Sequence, residues 1–222
     1  MRKFKYISSI LTLGVCLSCS TNIAFAQELK VNEKVDKTFI SQQLAEFERL
    51  DKQIKENRSK MVLPDKASDN GTKIPTLAST GSYPTRKGVI LVTKDGKFGS
   101  LVGHAGIVYN SSTTVESFPD GGVATYSNTW NTRYNTVYGA TTSGTDSTQD
   151  ASAADYAYGY RGTAYNWNFL DIETTARFYC SQLVYKAYKT KTGLNLNQGG
   201  GIVSPIDLIQ SSNTYTIYTQ GI

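Results

Sequence analysis

Between Gly88 and Phe118 three short segments alternate with two turn-forming clusters. Gly88-Val-Ile-Leu-Val-Thr93 is a continuous apolar run, the pattern of a strand buried on both faces. Lys94-Asp-Gly-Lys97 is predicted to turn the chain. Gly103-His-Ala-Gly-Ile-Val-Tyr109 follows as a second strand, Asn110-Ser-Ser112 as a second turn, and Thr113–Phe118 as a third strand. Strands joined by connections this short can only pair antiparallel, because a parallel pair needs a crossover of a dozen residues or more. The stretch is therefore expected to contain hairpins. Pro119–Gly122 turns again. Val123–Tyr138 is polar and aromatic and reads as one or two further strands, and Tyr215–Tyr218 as a closing one. The 15 tyrosines, with Gly, Ser, Thr and Asn, suit strands and polar loops better than a helical bundle.

One helix stands out after the sheet. In Arg177-Phe-Tyr-Cys-Ser-Gln-Leu-Val-Tyr-Lys-Ala-Tyr188, the residues Leu183, Val184, Ala187 and Tyr188 lie at helical spacing from Cys180, giving one apolar face. Cys180 falls in the first turn, where unpaired backbone N–H groups and the helix dipole favour an anion. A thiolate is such an anion. Ser143–Ala157 is a second helix, capped by Asp146 or Ser147, and Ser204-Pro-Ile-Asp-Leu-Ile209 a capped helical turn.

The first 26 residues read as a secretory signal peptide. Arg2, Lys3 and Lys5 precede an apolar run from Ile7 to Cys19, and Ala24-Phe-Ala26 is a small-x-small cleavage site. The run is too short for a good membrane span. A secreted, extracytoplasmic protein is expected. Residues 27–81 hold an amphipathic helix, marked by Phe39, Leu44, Phe47, Leu50 and Ile54, and then a linker with Pro64 and Pro75. A domain over residues 82–222 follows. Loss of Arg2, Lys3 and Lys5 takes the basic residues from 23 to 20, against 18 acidic, a net charge near +2. No nucleic-acid partner is implied. Cys16 and Cys19 leave as well, so the expected mature chain keeps one cysteine, Cys180, and one histidine, His104. An internal disulfide is then excluded, and zinc held by cysteine and histidine alone lacks ligands.

Cys180 and His104 together supply a nucleophile and the base that takes its proton. A third group should orient the ring and support its charge. If the loop after His104 is about three residues, Glu116 faces Gly106 across the hairpin and lies diagonally from His104, within reach of a long side chain. Gly103 and Gly106 leave room for a backbone or a ligand to approach. Singly, each residue has a plainer reading: a buried apolar cysteine, a satisfied core histidine, a solvated glutamate. Their conjunction favours chemistry.

Gly-His-Ala-Gly-Ile-Val-Tyr followed by Tyr-Cys-Ser-Gln-Leu-Val-Tyr resembles the NlpC superfamily of cysteine peptidases and amidases, with its papain-like fold. Histidine before cysteine is similar to the circularly permuted, YiiX- and YycO-like branch. The resemblance covers about Ser82 to Ile222. It departs at Val89, which follows Gly88 where a strand acid is usual, and at Gln182, where this branch often has Glu. It implies an α+β fold, an antiparallel sheet or partial barrel packed on the cysteine helix, to which the amphipathic helix of residues 27–81 adds an N-terminal helical extension. It implies Cys180 as nucleophile, His104 as general base, Glu116 as third member and Tyr165 near the oxyanion. No metal or organic cofactor is implied. The expected reaction is hydrolysis of an amide through a thioester, with cell-wall peptides first among substrates. The alternatives are a thioesterase or lipid acyl hydrolase or acyltransferase of the same fold, and a binding module that has lost activity.

Overall fold

The computed structural model describes residues 37–57, 80–197 and 199–222. The signal-peptide expectation and most of the linker lie outside them. Eight strands and four helices follow helix α1, which runs over residues 37–57. In chain order these are β1 Ile90–Phe98, β2 Leu101–Asn110, β3 Thr113–Phe118, β4 Gly122–Ser127, α2 Trp130–Arg133, β5 Val137–Thr142, α3 Ser147–Gly159, β6 Ala164–Tyr165, β7 Arg177–Phe178, α4 Cys180–Thr192, α5 Pro205–Gln210 and β8 Thr214–Gln220. Six strands make one antiparallel sheet in the order β4-β3-β2-β1-β5-β8, and β6 and β7 pair separately and in parallel. The fold is α+β, as the strand pattern and the cysteine helix implied.

Alternation along the central strands divides the core in two. Ile90, Val92, Ala105, Ile107 and Val115 join Leu183, Val184, Ala187 and Tyr188 of α4 in the larger cluster. Val89, Leu91 and Val108, with the opposite phase, meet Trp130, Val137 and Tyr218. Val89 to Val92 are all inaccessible, as a strand covered on both faces requires.

Two expectations are corrected. Lys94–Lys97 does not turn the chain. It forms an irregularity inside β1, between the pairs Thr93–His104 and Lys97–Val102, and the hairpin turns at Gly99-Ser100 instead. The Asp95 carboxylate fastens this bulge to the sheet, accepting from the backbone N–H of Thr136 at 3.1 Å and from its hydroxyl at 2.8 Å. A turn-like Lys-Asp-Gly-Lys sequence suits a bulge equally well. Second, Val123–Tyr138 is interrupted by α2, a single helical turn that sequence periodicity cannot signal.

Helix α1 from Phe39 onward belongs to the same compact unit as the sheet. Phe47 is buried and its ring lies 5.7 Å from that of Tyr138 on β5. The Gln43 amide donates to Ser100 O at 2.7 Å and accepts from Val102 N at 3.0 Å, holding the β1–β2 turn from both sides. The helix thus braces the hairpin that carries His104. Phe47→Ala is expected to cost about 3–5 kcal/mol, the range for a buried Phe reduced to Ala. Urea unfolding measures it, and a loss under about 1 kcal/mol would mean that the helix is not part of the core.

Candidate active site

Three elements converge on His104. Strand β2 carries it, β3 carries Glu116, and α4 begins at Cys180. Gly106 stands opposite Glu116 in the β2–β3 register, so Glu116 lies diagonally from His104, as the hairpin predicted. The His104 Nε2–H donates to Glu116 Oε2 at 2.9 Å. Gly106 makes room for this, though not for a backbone or ligand. A Cβ there would stand 2.8 Å from Glu116 Cγ and 3.0 Å from Trp130 Cζ2. At Gly103, φ is +79° and a Cβ would collide with Thr93 O, so the strand closes on its neighbour only because no side chain is present.

The second carboxylate oxygen, Glu116 Oε1, accepts from three donors: Thr114 Oγ1 at 2.5 Å, Trp130 Nε1 at 2.9 Å and Arg133 Nη2 at 2.5 Å. The His104 ring stacks with Phe118, at 4.1 Å and 23°, and with Trp130, at 5.5 Å and 20°.

Cys180 is the first residue of α4. Its placement follows from short links on both sides. The Ser117 hydroxyl donates to Phe178 O at 2.6 Å, tying the residue next to Glu116 to the strand that enters the helix. Ser181 Oγ donates to Val203 O at 2.7 Å. Gln182 caps the helix, accepting from Tyr179 N at 3.1 Å, and its amide also donates to Asp171 O at 3.0 Å. The departure at Gln182 therefore has a structural reason, since its neutral amide donates to a backbone carbonyl as a carboxylate could not.

The other imidazole nitrogen, Nδ1, is buried and has no well-formed hydrogen bond. The thiol of Cys180 is nonetheless the strongest influence raising the imidazole. Burial pushes His104 down, but the thiol and Glu116 outweigh it and lift the ring to about 9. Burial pushes the Cys180 thiol up, but the imidazole outweighs it, helped by the Ala105 N–H, and the thiol ends below its usual range. Glu116 is likewise pushed up by burial and held below the usual carboxylate range by His104 and Arg133. These opposed shifts favour a thiolate beside an imidazolium, backed by a carboxylate. Cys180 and His104 are each only 1% exposed.

Tyr165 on β6 pairs with Phe178 on β7, two residues before Cys180. Its hydroxyl is buried without a partner. Burial first, and then the nearby Cys180 thiolate, raise its ionisation, so it stays a neutral donor. All four residues singled out in the sequence thus lie in one neighbourhood. Sequence reasoning missed Thr114, Phe118, Trp130 and Arg133. Thr114 and Phe118 could have been found by extending the β3 alternation from Glu116; Trp130 and Arg133 could not.

Among the described residues no His, Cys, Asp and Glu side chains form a group able to hold a metal ion, and His104 Nε2 and both Glu116 oxygens are turned onto partners within the site. Residues 92–202 match the family described as permuted papain-like amidase enzyme, YaeF/YiiX, C92 family. The chain is 28% identical to the uncharacterized protein YycO of Bacillus subtilis (strain 168) over 209 residues, 91% of this chain and 79% of that protein. Its fold is similar to the crystal structure of the metalloprotein yiiX from Escherichia coli O157:H7, with a TM-score of 0.51 at 17% identity, over 60% of this chain and 96% of that one.

Proposed function

Since the chain belongs to the permuted papain-like amidase family, we propose that it hydrolyses an amide bond with Cys180 as nucleophile, His104 as acid and base, and Glu116 as the group that orients the ring. One observation carries this reading: His104 lies between a thiol pushed down and a carboxylate held ionised.

The Cys180 thiolate attacks the amide carbonyl carbon, forming the C–S bond and moving the carbonyl π pair to oxygen. That oxyanion takes hydrogen bonds from the Cys180 N–H, free at the helix start, and from the Tyr165 hydroxyl. The tetrahedral adduct collapses, the C–N bond breaks, and the His104 Nδ1–H passes its proton to the departing amine. Neutral His104 then takes a proton from water, whose oxygen attacks the thioester carbon. Collapse releases the acid and restores the thiolate beside the imidazolium. Glu116 remains a carboxylate throughout and keeps Nε2 protonated.

The substrate class favoured here is a cell-wall peptide, met outside the membrane after removal of residues 1–26. The signal-like start of the sequence supports that location. A second reading, an acyl lipid, draws on Trp167 and Leu170, exposed at 59% and 74% on the loop after Tyr165. The protein from residue 27 onward, incubated with defined muropeptides and with acyl lipids, separates them by mass spectrometry. Muropeptides gaining one water across an amide are expected. Release of fatty acid alone would reassign the substrate, and no product from either would exclude both.

A further inference from the structure

The turn α2 contributes no atom to the proposed chemistry, yet both its ends point into it. Trp130 Nε1 and Arg133 Nη2 reach the same oxygen, Glu116 Oε1, and the Trp130 indole is stacked on His104. Trp130 is fully buried, whereas the Arg133 side chain is 28% exposed. Resting on the triad reading above, we propose that α2 is a positioning element, in which Trp130 and Arg133 keep the Glu116 carboxylate ionised and aimed at His104 while the indole fixes the plane of the ring.

The physical case begins with Glu116, which has no access to solvent. A carboxylate in such a place takes up a proton unless charge and hydrogen bonds oppose burial. Oε2 is engaged by His104, so the opposition must come through Oε1. Thr114 supplies one neutral donor from β3 itself, but among the described residues the cation there besides the imidazole is Arg133. Charge-assisted bonds of this kind are about twice as strong as neutral ones. The other titratable groups facing the carboxylate are Tyr134, which follows α2, and Tyr126 on β4. Burial raises both, so they stay neutral across the working range. Cys180 acts on Glu116 through His104. If Glu116 took up a proton it would no longer support the imidazolium, and the thiolate would lose its counter-charge. The α2 contribution should therefore appear on the acid side of the pH profile.

The indole has a separate role. Stacking against both Phe118 and Trp130 opposes rotation of the imidazole about Cβ–Cγ. Nδ1 is then held toward the thiol even though no hydrogen bond fixes it.

The test is the pH dependence of Cys180 alkylation by iodoacetamide, between pH 4 and 10, for the parent, Arg133→Met, Arg133→Lys, Trp130→Phe and Glu116→Gln. Arg133→Met is expected to move the acid limb up by about half a pH unit or more, a roughly threefold loss of rate on that limb. The rate near pH 8 should change little. Arg133→Lys should restore most of the shift, because charge rather than shape is at issue, and Trp130→Phe should move the limb in the same direction. A purely structural role would lower the melting temperature without moving the limb. That result for both Arg133→Met and Trp130→Phe, with Glu116→Gln still altering the profile, would overturn the positioning role and leave the triad standing. A Glu116→Gln profile identical to the parent would instead remove Glu116 from the triad, and the α2 proposal with it.

Discussion

Cys180→Ala is expected to abolish hydrolysis while the protein folds as before. The side chain belongs to the same buried cluster as Ala105, Leu183 and Val184, and its replacement removes one sulfur from a buried site, a change worth little beside its chemistry. Loss of one member of a nucleophile–base unit costs on the order of 10⁴-fold or more, about as much as loss of the whole unit. Tyr165 and the helix start would still bind a carbonyl oxygen, but with no nucleophile there is no thioester. Single-turnover assay of the purified variant, beside its melting curve, provides the check. Residual activity within tenfold of the parent would mean that the sulfur is not the nucleophile, and loss of the cooperative melt would leave a packing role.

His104→Ala is expected to have the second-largest effect, with its signature in pH. The imidazole is raised to about 9, so its contribution to stability is complete below its ordinary value near 6.5 and fades as pH rises through 9. The thiol is lowered, so its contribution is complete above its ordinary value and fades as pH falls through the lowered one. The reactive pair therefore occupies the window between the lowered thiol value and about 9. Without the imidazolium, burial is the dominant influence on Cys180 and drives its ionisation above the ordinary range. At pH 7 the thiolate fraction should fall roughly 100-fold, and alkylation with it. Comparing rates across pH within each variant cancels the accessibility of a thiol that is nearly covered. A His104→Ala profile that overlays the parent would exclude His104 as the base.

The central hairpin was legible because its rules are local. A two-residue period and a short turn fix which side chains share a face, so Glu116 could be placed opposite Gly106 from spacing alone. The helix start at Cys180 followed equally from the apolar spacing after it. The environment that gives these residues their character was less visible. Trp130 and Arg133 sit on one helical turn, too short to have a period, and reach Glu116 from 14 and 17 residues away. Nothing in Ser-Asn-Thr-Trp-Asn-Thr-Arg says which carboxylate it will serve. The bulge at Lys94–Lys97 was misread for a related reason: its residues have turn propensities, and only the pairing of Lys97 with Val102 reveals that the strand resumes. The two glycines were read correctly as space but with the wrong occupant at Gly106, since what fills it comes from β3 and α2.

The enclosure of Cys180 also bears on how long the protein lasts. A thiolate with a lowered ionisation is the form that peroxide converts to sulfenic acid, and that disulfides exchange with. Here it is 1% exposed and has no second cysteine among the described residues to rescue it by forming a reversible disulfide. An oxidant too large to diffuse through the packed core needs the same opening as the substrate. Oxidative loss and turnover then share one gate. A change that opens the site more often raises both, so the chemical lifetime of the nucleophile falls as its speed improves.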